Sequence, residues 1–164
     1  MAKRITRDAL LLTVALVIHV LEAQLPPIVP LPGVKLGLAN IVTVAAMFRI
    51  GRRDTLAILL CRIFLGSVFG GNWMAFAYSL VGGLCCFGAM LFLQKLLTKK
   101  QIWVCGAVAA IFHNVGQTLT AMVLFRTAAV AVYFPVLVAS GVVTGAFTGL
   151  CAQFLTARLD RIQK

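Results

Sequence analysis

Polar side chains that could bind a ligand are few in this sequence, and the most deeply placed of them is an arginine. Arg62 lies inside an apolar run, about eight residues from either end, which is roughly 12 Å at 1.5 Å per residue. A central arginine costs of order 2.5 to 3.5 kcal/mol in a membrane helix, so it normally faces a cavity or a partner. Arg62 therefore either contacts an anionic ligand or forms a structural ion pair, for which Glu22 is the plausible acid.

Three further polar residues lie together in a later apolar run. His113, Asn114 and Gln117 stand at positions i, i+1 and i+4, so His113 and Gln117 share one helix face while Asn114 is turned about 100° away. Such groups either form hydrogen bonds between helices or donate to a polar ligand, shared in that case with Asn40 on another helix. Both interpretations fit the spacing.

The stretch Leu-Pro-Gly-Val-Lys-Leu-Gly-Leu-Ala-Asn at 31–40 is the most distinctive in the chain. Its proline and glycine end an extended loop, and the short helix that follows begins with free N–H groups and a positive dipole end that could hold an anion. Lys35 adds a full charge there, and together with Arg62 and Arg126 it favours an anionic or phosphorylated ligand. The predicted substrate-binding residues are Lys35, Asn40, Arg62, Asn72, His113, Asn114 and Gln117.

The acidic residues argue against a catalytic or metal site. The four acids are Asp8, Glu22, Asp54 and Asp160, and no two are closer than fourteen positions. Paired carboxylates for acid–base chemistry or magnesium binding would have to come from separate helices, and the five cysteines form no Cys-x-x-Cys pair. We therefore expect no catalytic residue, metal or cofactor, and a transport component instead of an enzyme. A membrane transferase assembled from scattered residues is the enzymatic alternative.

The elements that must position these residues follow from composition. A chain that is 62% hydrophobic and 12% charged, with a mean hydropathy of +1.03, is far more apolar than a soluble domain. A helix needs about twenty apolar residues to cross a bilayer, and six runs approach that length: 8–25, 35–50, 54–70, 73–97, 101–125 and 130–155. The sequence predicts an all-α membrane protein, a compact bundle of about six transmembrane helices forming one domain over residues 1–164.

The basic residues predict how this bundle is oriented. Twelve of the fifteen lysines and arginines fall on one side of it: Lys3, Arg4, Arg7, Arg49, Arg52, Arg53, Lys95, Lys99, Lys100, Arg158, Arg161 and Lys164. The positive-inside rule makes that side cytoplasmic, with both termini there, in an inner (cytoplasmic) membrane. Because the charges form short clusters between apolar runs, the net charge of +11 indicates a lipid bilayer as partner and excludes nucleic acid.

Small residues recur at a spacing of four in the last run, at Gly141, Gly145 and Gly149. This spacing places a bare stripe on one helix face, where another backbone can approach closely. Tight packing between helices is the favoured interpretation, and a docking surface is the alternative.

Three motifs in order resemble one membrane protein family. They are Pro-Gly-Val-Lys-Leu-Gly-Leu-Ala-Asn at 32–40, Cys-Arg-Ile-Phe-Leu-Gly-Ser-Val-Phe-Gly-Gly at 61–71 and His-Asn-Val-Gly-Gln at 113–117. Over about residues 7–155 the chain resembles the Gx transporter family, which is also labelled heptaprenyl diphosphate synthase component I.

This resemblance implies a bundle similar to the substrate-binding S components of energy-coupling factor transporters, in which a separate membrane scaffold and two ATPases supply the work. The leading hypothesis is a membrane subunit that takes up a small, anionic or isoprenoid-related solute. The family label implies the alternative, an accessory subunit that anchors a prenyl synthase catalytic subunit at the membrane for menaquinone side-chain synthesis. The acidic clusters typical of a prenyl synthase are missing, which argues against catalysis by this chain.

Overall fold

The computed structural model describes residues 2–24, 37–71 and 73–162. Within these ranges the chain is entirely helical, with two short 3-10 segments, Lys99–Gln101 and Ala128–Tyr133, that lead into the last two α-helices. The helices are α1 (Ala2–Gln24), α2 (Asn40–Arg49), α3 (Arg52–Gly70), α4 (Trp73–Leu96), α5 (Ile102–Phe125) and α6 (Phe134–Ile162). The prediction of an all-α bundle of six helices is confirmed for the described residues.

The helix ends differ from the limits of the apolar runs for local reasons. α1 begins at Ala2, six positions before the predicted start at Asp8, because the lysine and arginines between them are good helix formers although they end the apolar run. α6 begins at Phe134 and not at residue 130, after a 3-10 turn, and has Pro135 in its first turn, where the missing N–H is tolerated. α3 stops at Gly71, whose φ of 61° favours glycine.

The helix ends that carry the basic residues lie together, and we call this part of the bundle the basic end. It comprises the starts of α1, α3 and α5 and the ends of α2, α4 and α6. Asp54 on α3 pairs with two arginines of α1, and Asp160 on α6 pairs with Arg49 on α2 at 2.6 Å and with Lys99 at 2.8 Å. The basic clusters thus meet at one end, as the sequence predicts, and the cellular side on which that end lies stays a prediction.

Three segments are long and apolar enough to cross a membrane: Trp73–Leu96, Lys99–Phe125 and Ala128–Arg161. Large apolar side chains point outward from the last of them, where Val143 is 70% and Phe154 68% exposed. Such surfaces are unfavourable in water and suit a hydrocarbon solvent, which supports membrane association. That all six helices cross the membrane stays a prediction, since α1 and α3 carry several charges and α2 is short.

α2 is shorter than predicted. Its ten residues span about 15 Å, half of a hydrocarbon core of about 30 Å. The predicted start at residue 35 lies outside the described residues. Where these resume, a turn precedes the helix: Gly37 adopts a φ of 68°, and its carbonyl accepts a 2.8 Å hydrogen bond from the Asn40 N–H. The glycine permits this left-handed conformation.

The hydrophobic core fills the half of the bundle nearest the basic end. It includes Val44, Met47, Leu59, Met90, Ile102 and Ala152, which come from five different helices. All of these lie on the basic-end turns of their helices, where α2 is present to pack against them. We call the opposite half of the bundle the far end, and α2 does not extend into it.

The glycines of α6 pack against α5. A Cβ on Gly145 would lie 2.6 Å from the Ala110 Cβ and equally close to the Gly106 carbonyl oxygen, while one on Gly149 would lie 2.7 Å from the Trp103 Cα. Contacts this short leave no room for a side chain, so the two backbones approach directly. The packing interpretation of this small-residue stripe is confirmed.

Candidate functional site

A cavity of about 1060 Å³ occupies the far end of the bundle. Its walls are the last turns of α1, the second halves of α3 and α5, the first turns of α4 and the first half of α6. The start of α2 closes it toward the basic end through Asn40. Among the described residues α2 contributes only Asn40 to this wall, since the helix reaches only halfway along the bundle. The volume of the cavity lies just above the usual range of about 300 to 1,000 Å³ for small-molecule sites.

Arg62 is buried in the wall of this cavity and is only 8% exposed. Its Nη2 donates a 3.2 Å hydrogen bond to Asn40 Oδ1, and its Nε has no hydrogen-bond partner among the described residues. A buried guanidinium carries five N–H donors and a full charge. One neutral amide oxygen satisfies only a small part of that capacity.

Glu22, the acid that the sequence suggested as a structural partner for Arg62, makes a different contact. Its Oε1 accepts a 2.5 Å hydrogen bond from the Gly37 N–H, which ties the end of α1 to the turn before α2. The ion pairs formed by lysines and arginines in the described part of the chain all lie at the basic end. The structural alternative for Arg62 therefore takes the form of a hydrogen bond to Asn40 and not of an ion pair.

His113 and Gln117 line the cavity from α5, on the shared face that their spacing predicts. They rest against Gly82 of α4: a Cβ there would lie 3.0 Å from His113 Cε1 and 3.0 Å from Gln117 Cγ. The His113 ring hydrogen-bonds to the Gly82 backbone, while its Nδ1 has no partner among the described residues. Gly82 thus contacts both side chains, and the His113 Nδ1 is buried without a hydrogen-bond partner in the described part of the chain.

Asn114 has a mainly structural environment. Its Nδ2 donates a 2.5 Å hydrogen bond to the Leu137 carbonyl oxygen of α6, and its side chain packs against Gly141. The interhelical alternative therefore describes this residue, which also contributes to the cavity wall.

The structure brings five of the seven predicted site residues to this one cavity: Asn40, Arg62, His113, Asn114 and Gln117. The other two, Lys35 and Asn72, lie outside the described residues. Arg126, which contributed to the expected basic character, caps α5 with a φ of 50° and is not among the described lining residues. Among those lining residues Arg62 and Glu22 carry the formal charges.

Several polar lining residues were not predicted from the sequence. Tyr78 and Ser79 on α4 face the cavity, and so does His19 on α1, whose ring packs against Gly66. A periodic reading could have found the first two, because positions 75, 78, 79 and 82 share one helical face. The signal was missed because a tyrosine and a serine in an apolar helix are ordinary packing residues.

Among the described residues there is no group of three or more histidine, cysteine, aspartate or glutamate side chains that could hold a metal ion. The hydroxyls of Thr118, Thr144 and Thr148 all donate to carbonyls of their own helices. The described wall presents one cation, one carboxylate, imidazole and amide groups, and several hydroxyls, including those of Tyr78 and Ser79, among apolar side chains.

Comparison with known proteins gives one family and no individual relative. A family model described as heptaprenyl diphosphate synthase component I matches residues 11–155. No curated protein and no solved structure matches the chain. The match covers the six helices almost completely, including every described residue of the cavity wall. The chain therefore belongs to the family described as heptaprenyl diphosphate synthase component I.

Proposed function

We propose that this chain is a membrane-embedded binding subunit that takes up a small, anionic or isoprenoid-related solute and holds it in the far-end cavity. The observation that carries the proposal is the state of Arg62, a buried arginine of the cavity wall whose hydrogen-bond partner is neutral and whose Nε has no partner among the described residues. Burial of an unpaired cation is costly, and an anionic group of the solute would offset that cost. The proposal assigns Arg62 to the anion and Asn40 to holding the guanidinium in place.

The rest of the cavity wall supports a solute that is partly apolar. Phe69, Met74, Phe125 and Leu137 contribute to the lining together with the few polar groups. An apolar wall with a few convergent polar groups is the usual composition of a small-molecule site, where the polar groups set orientation. His113 and Gln117 are placed to hydrogen-bond to the solute beside Arg62.

Binding of a simple amphipathic anion tests the proposal. We expect purified protein in detergent to bind hexyl phosphate in isothermal titration calorimetry, and Arg62→Met to weaken the affinity by about 10- to 100-fold, since hydrogen bonds to a charged group contribute about 1.5 to 3 kcal/mol. Arg53→Met is the matched control, because Arg53 is exposed on the same helix at the basic end. Unchanged affinity in a folded Arg62→Met protein would disprove the site.

An uptake role also requires an energy source. The chain contains no Gly-x-x-x-x-Gly-Lys phosphate-binding loop, so we propose that a membrane scaffold with ATPases is its partner. Native mass spectrometry of gently solubilised protein would report both a bound solute and the partner chains. Recovery of scaffold and ATPase subunits supports uptake, and their reproducible replacement by a prenyl synthase favours the second candidate.

The second candidate is an accessory subunit of a heptaprenyl diphosphate synthase. The observation that favours it is the family description, in which "component I" implies a second, catalytic component. The basic end offers a surface for such a partner, with Arg52, Arg53 and Arg158 exposed there. In this case the cavity would receive the product or a related lipid.

The accessory role makes a separate prediction about the basic end. Arg52→Glu with Arg53→Glu should abolish co-purification with a prenyl synthase catalytic subunit, because complementary charge guides such contacts. Arg126→Glu, the same substitution at one exposed residue of the far end and half the total change in charge, should have no effect. Equal recovery of the synthase with both proteins would remove the role assigned to the basic end.

A further inference from the structure

We infer that the solute in the far-end cavity is bipolar, and that Glu22 receives a cationic nitrogen of the same molecule whose anionic group contacts Arg62. This inference rests on the proposed function and adds a second charged group to the ligand. It starts from the charges of the described lining residues, which are one arginine and one glutamate. The wall as described is therefore electrically balanced and does not favour a ligand of high net negative charge.

The two opposite charges are held apart by neutral groups. Arg62 bonds to the Asn40 side chain, and Glu22 bonds to the Gly37 backbone in the turn that precedes Asn40. Each charge thus has a neutral partner, although both face the same cavity. Glu22 lies near enough to Arg62 to act on it electrostatically, but the two are not among the ion pairs of the described residues. Both side chains therefore keep hydrogen-bonding capacity for a ligand.

Glu22 retains capacity for a second partner. An ionised carboxylate accepts on two oxygens with about four lone-pair positions, and the Gly37 N–H occupies one position on Oε1. The glutamate lies on the last turns of α1, one turn beyond His19, whose ring contacts Gly66 of α3. This register puts the carboxylate beside the last turn of α3.

Aromatic rings surround the same part of the cavity. Phe69 lies in the last turn of α3, Phe125 ends α5 and Tyr133 precedes α6, and all three contribute to the lining. Aromatic faces attract cations and are common around bound ammonium groups. The far end therefore offers a carboxylate and aromatic rings to a nitrogen cation, while the deeper part of the cavity offers Arg62 to an anion.

Paired probes test this inference without knowledge of the natural solute. The probes are ethyl phosphate with 2-aminoethyl phosphate, and hexyl phosphate with 6-aminohexyl phosphate, each measured by calorimetry with the detergent-solubilised protein. We expect at least one amino compound to bind about tenfold more tightly than its partner. In Glu22→Gln this preference should disappear, while the affinity for the plain alkyl phosphate stays equal or rises because a repulsive charge is removed.

The Glu22→Gln substitution keeps an oxygen that can accept from the Gly37 N–H, so the fold should be retained. Asp8→Asn is the matched control, since it removes an equal charge from α1 at the basic end. Equal binding of amino and plain probes by the wild type, or a preference that survives Glu22→Gln, would overturn the bipolar ligand and leave Arg62 as the anion site. Failure of all four probes to bind would overturn the proposed anion site as well.

Discussion

Asp54 and Arg62 lie eight residues apart on α3, yet they differ in the charge of their partners. Asp54 is at the basic end, where Arg4 and Arg7 of α1 both pair with it. Arg62 is on the cavity wall, with the neutral Asn40 as its hydrogen-bond partner. One charge is paired with opposite charges, whereas the other has a neutral hydrogen-bond partner among the described residues, which is why we propose a ligand for it.

The difference separates structural charges from binding charges. At the basic end each bridging carboxylate joins helices that are distant in sequence, as Asp160 does for α2 and the segment before α5. The side chains of Arg4 and Arg7, which pair with Asp54, are 62% and 44% exposed. Water and lipid headgroups can therefore reach these pairs from the arginine side, so each contact contributes little. In the cavity wall an unpaired cation is much more costly, and its retention there is best explained by a function.

The largest expected effect comes from making the cavity resemble the basic end. Asn40→Asp would convert the 3.2 Å hydrogen bond of Arg62 into an ion pair. We expect the thermal stability of the empty protein to rise and the affinity for hexyl phosphate to fall by about 100-fold, because the anion must now compete with a carboxylate in contact. Calorimetry and a thermal unfolding scan measure the two effects.

Gln94→Glu controls for the added charge, since Gln94 lies on α4 near the basic end and does not line the cavity. It should leave the affinity unchanged. If Asn40→Asp bound hexyl phosphate as the wild type does, Arg62 would not be the anion site, and the contrast between the two regions would carry no functional meaning.

A smaller effect should follow from a substitution at Gly82, against which the side chains of His113 and Gln117 pack. In Gly82→Ala the new methyl group would lie 3.0 Å from both His113 Cε1 and Gln117 Cγ. Overpacking of this kind costs about 1 to 3 kcal/mol, so we expect both side chains to shift and the affinity for hexyl phosphate to fall by about tenfold. Titration calorimetry against Gly88→Ala measures this effect.

Gly88 is on the same helix with no atom within 4 Å of its added Cβ. Its alanine variant should therefore bind normally, and helix propensity should make it slightly more stable. Equal binding by the two alanine variants would show that His113 and Gln117 do not need their present positions.

Substitutions at the basic end should change the stability of the protein and not its affinity for the ligand. Asp54→Asn removes the carboxylate shared by two arginines of α1, so the Tm should fall by a few degrees as α1 loses its attachment at that end. The affinity of the folded variant for hexyl phosphate, measured well below its Tm, should be unchanged. A clear loss of affinity in the folded protein would mean that the two regions are coupled, contrary to the separation argued above.

The smallest effect is the dependence of this end on salt. The exposed pair between Lys99 and Asp160 is reached by solvent, and the screening length falls from about 10 Å at 0.1 M to about 3 Å at 1 M salt. Lys99→Met removes this pair and leaves the one between Arg49 and Asp160 in place. The Tm difference between wild type and Lys99→Met should therefore shrink as sodium chloride is raised. A Tm difference that does not change with salt would mean that the pair is shielded from solvent, contrary to the exposure of its side chains.

Much of this fold follows from local sequence. Long apolar runs and the charged clusters between them predict six helices, and the positions of those clusters predict that alternate helix ends meet, as Asp54 and Asp160 confirm. The identity of five cavity residues was also accessible, because polar groups in apolar helices are conspicuous. Hydropathy and charge are properties of single residues, so no knowledge of contacts is needed to read them.

The tertiary structure alone decided how those residues are used. The partner of Arg62 is Asn40, twenty-two positions away, and not the acid that the sequence suggested. Asn114 donates to the Leu137 carbonyl of α6, and among the described residues α2 lines the cavity only through its first residue, Asn40. Apolar periodicity determines which elements form, whereas hydrogen-bond partners and empty volume depend on distances between elements remote in sequence, and those distances are set only when the helices pack.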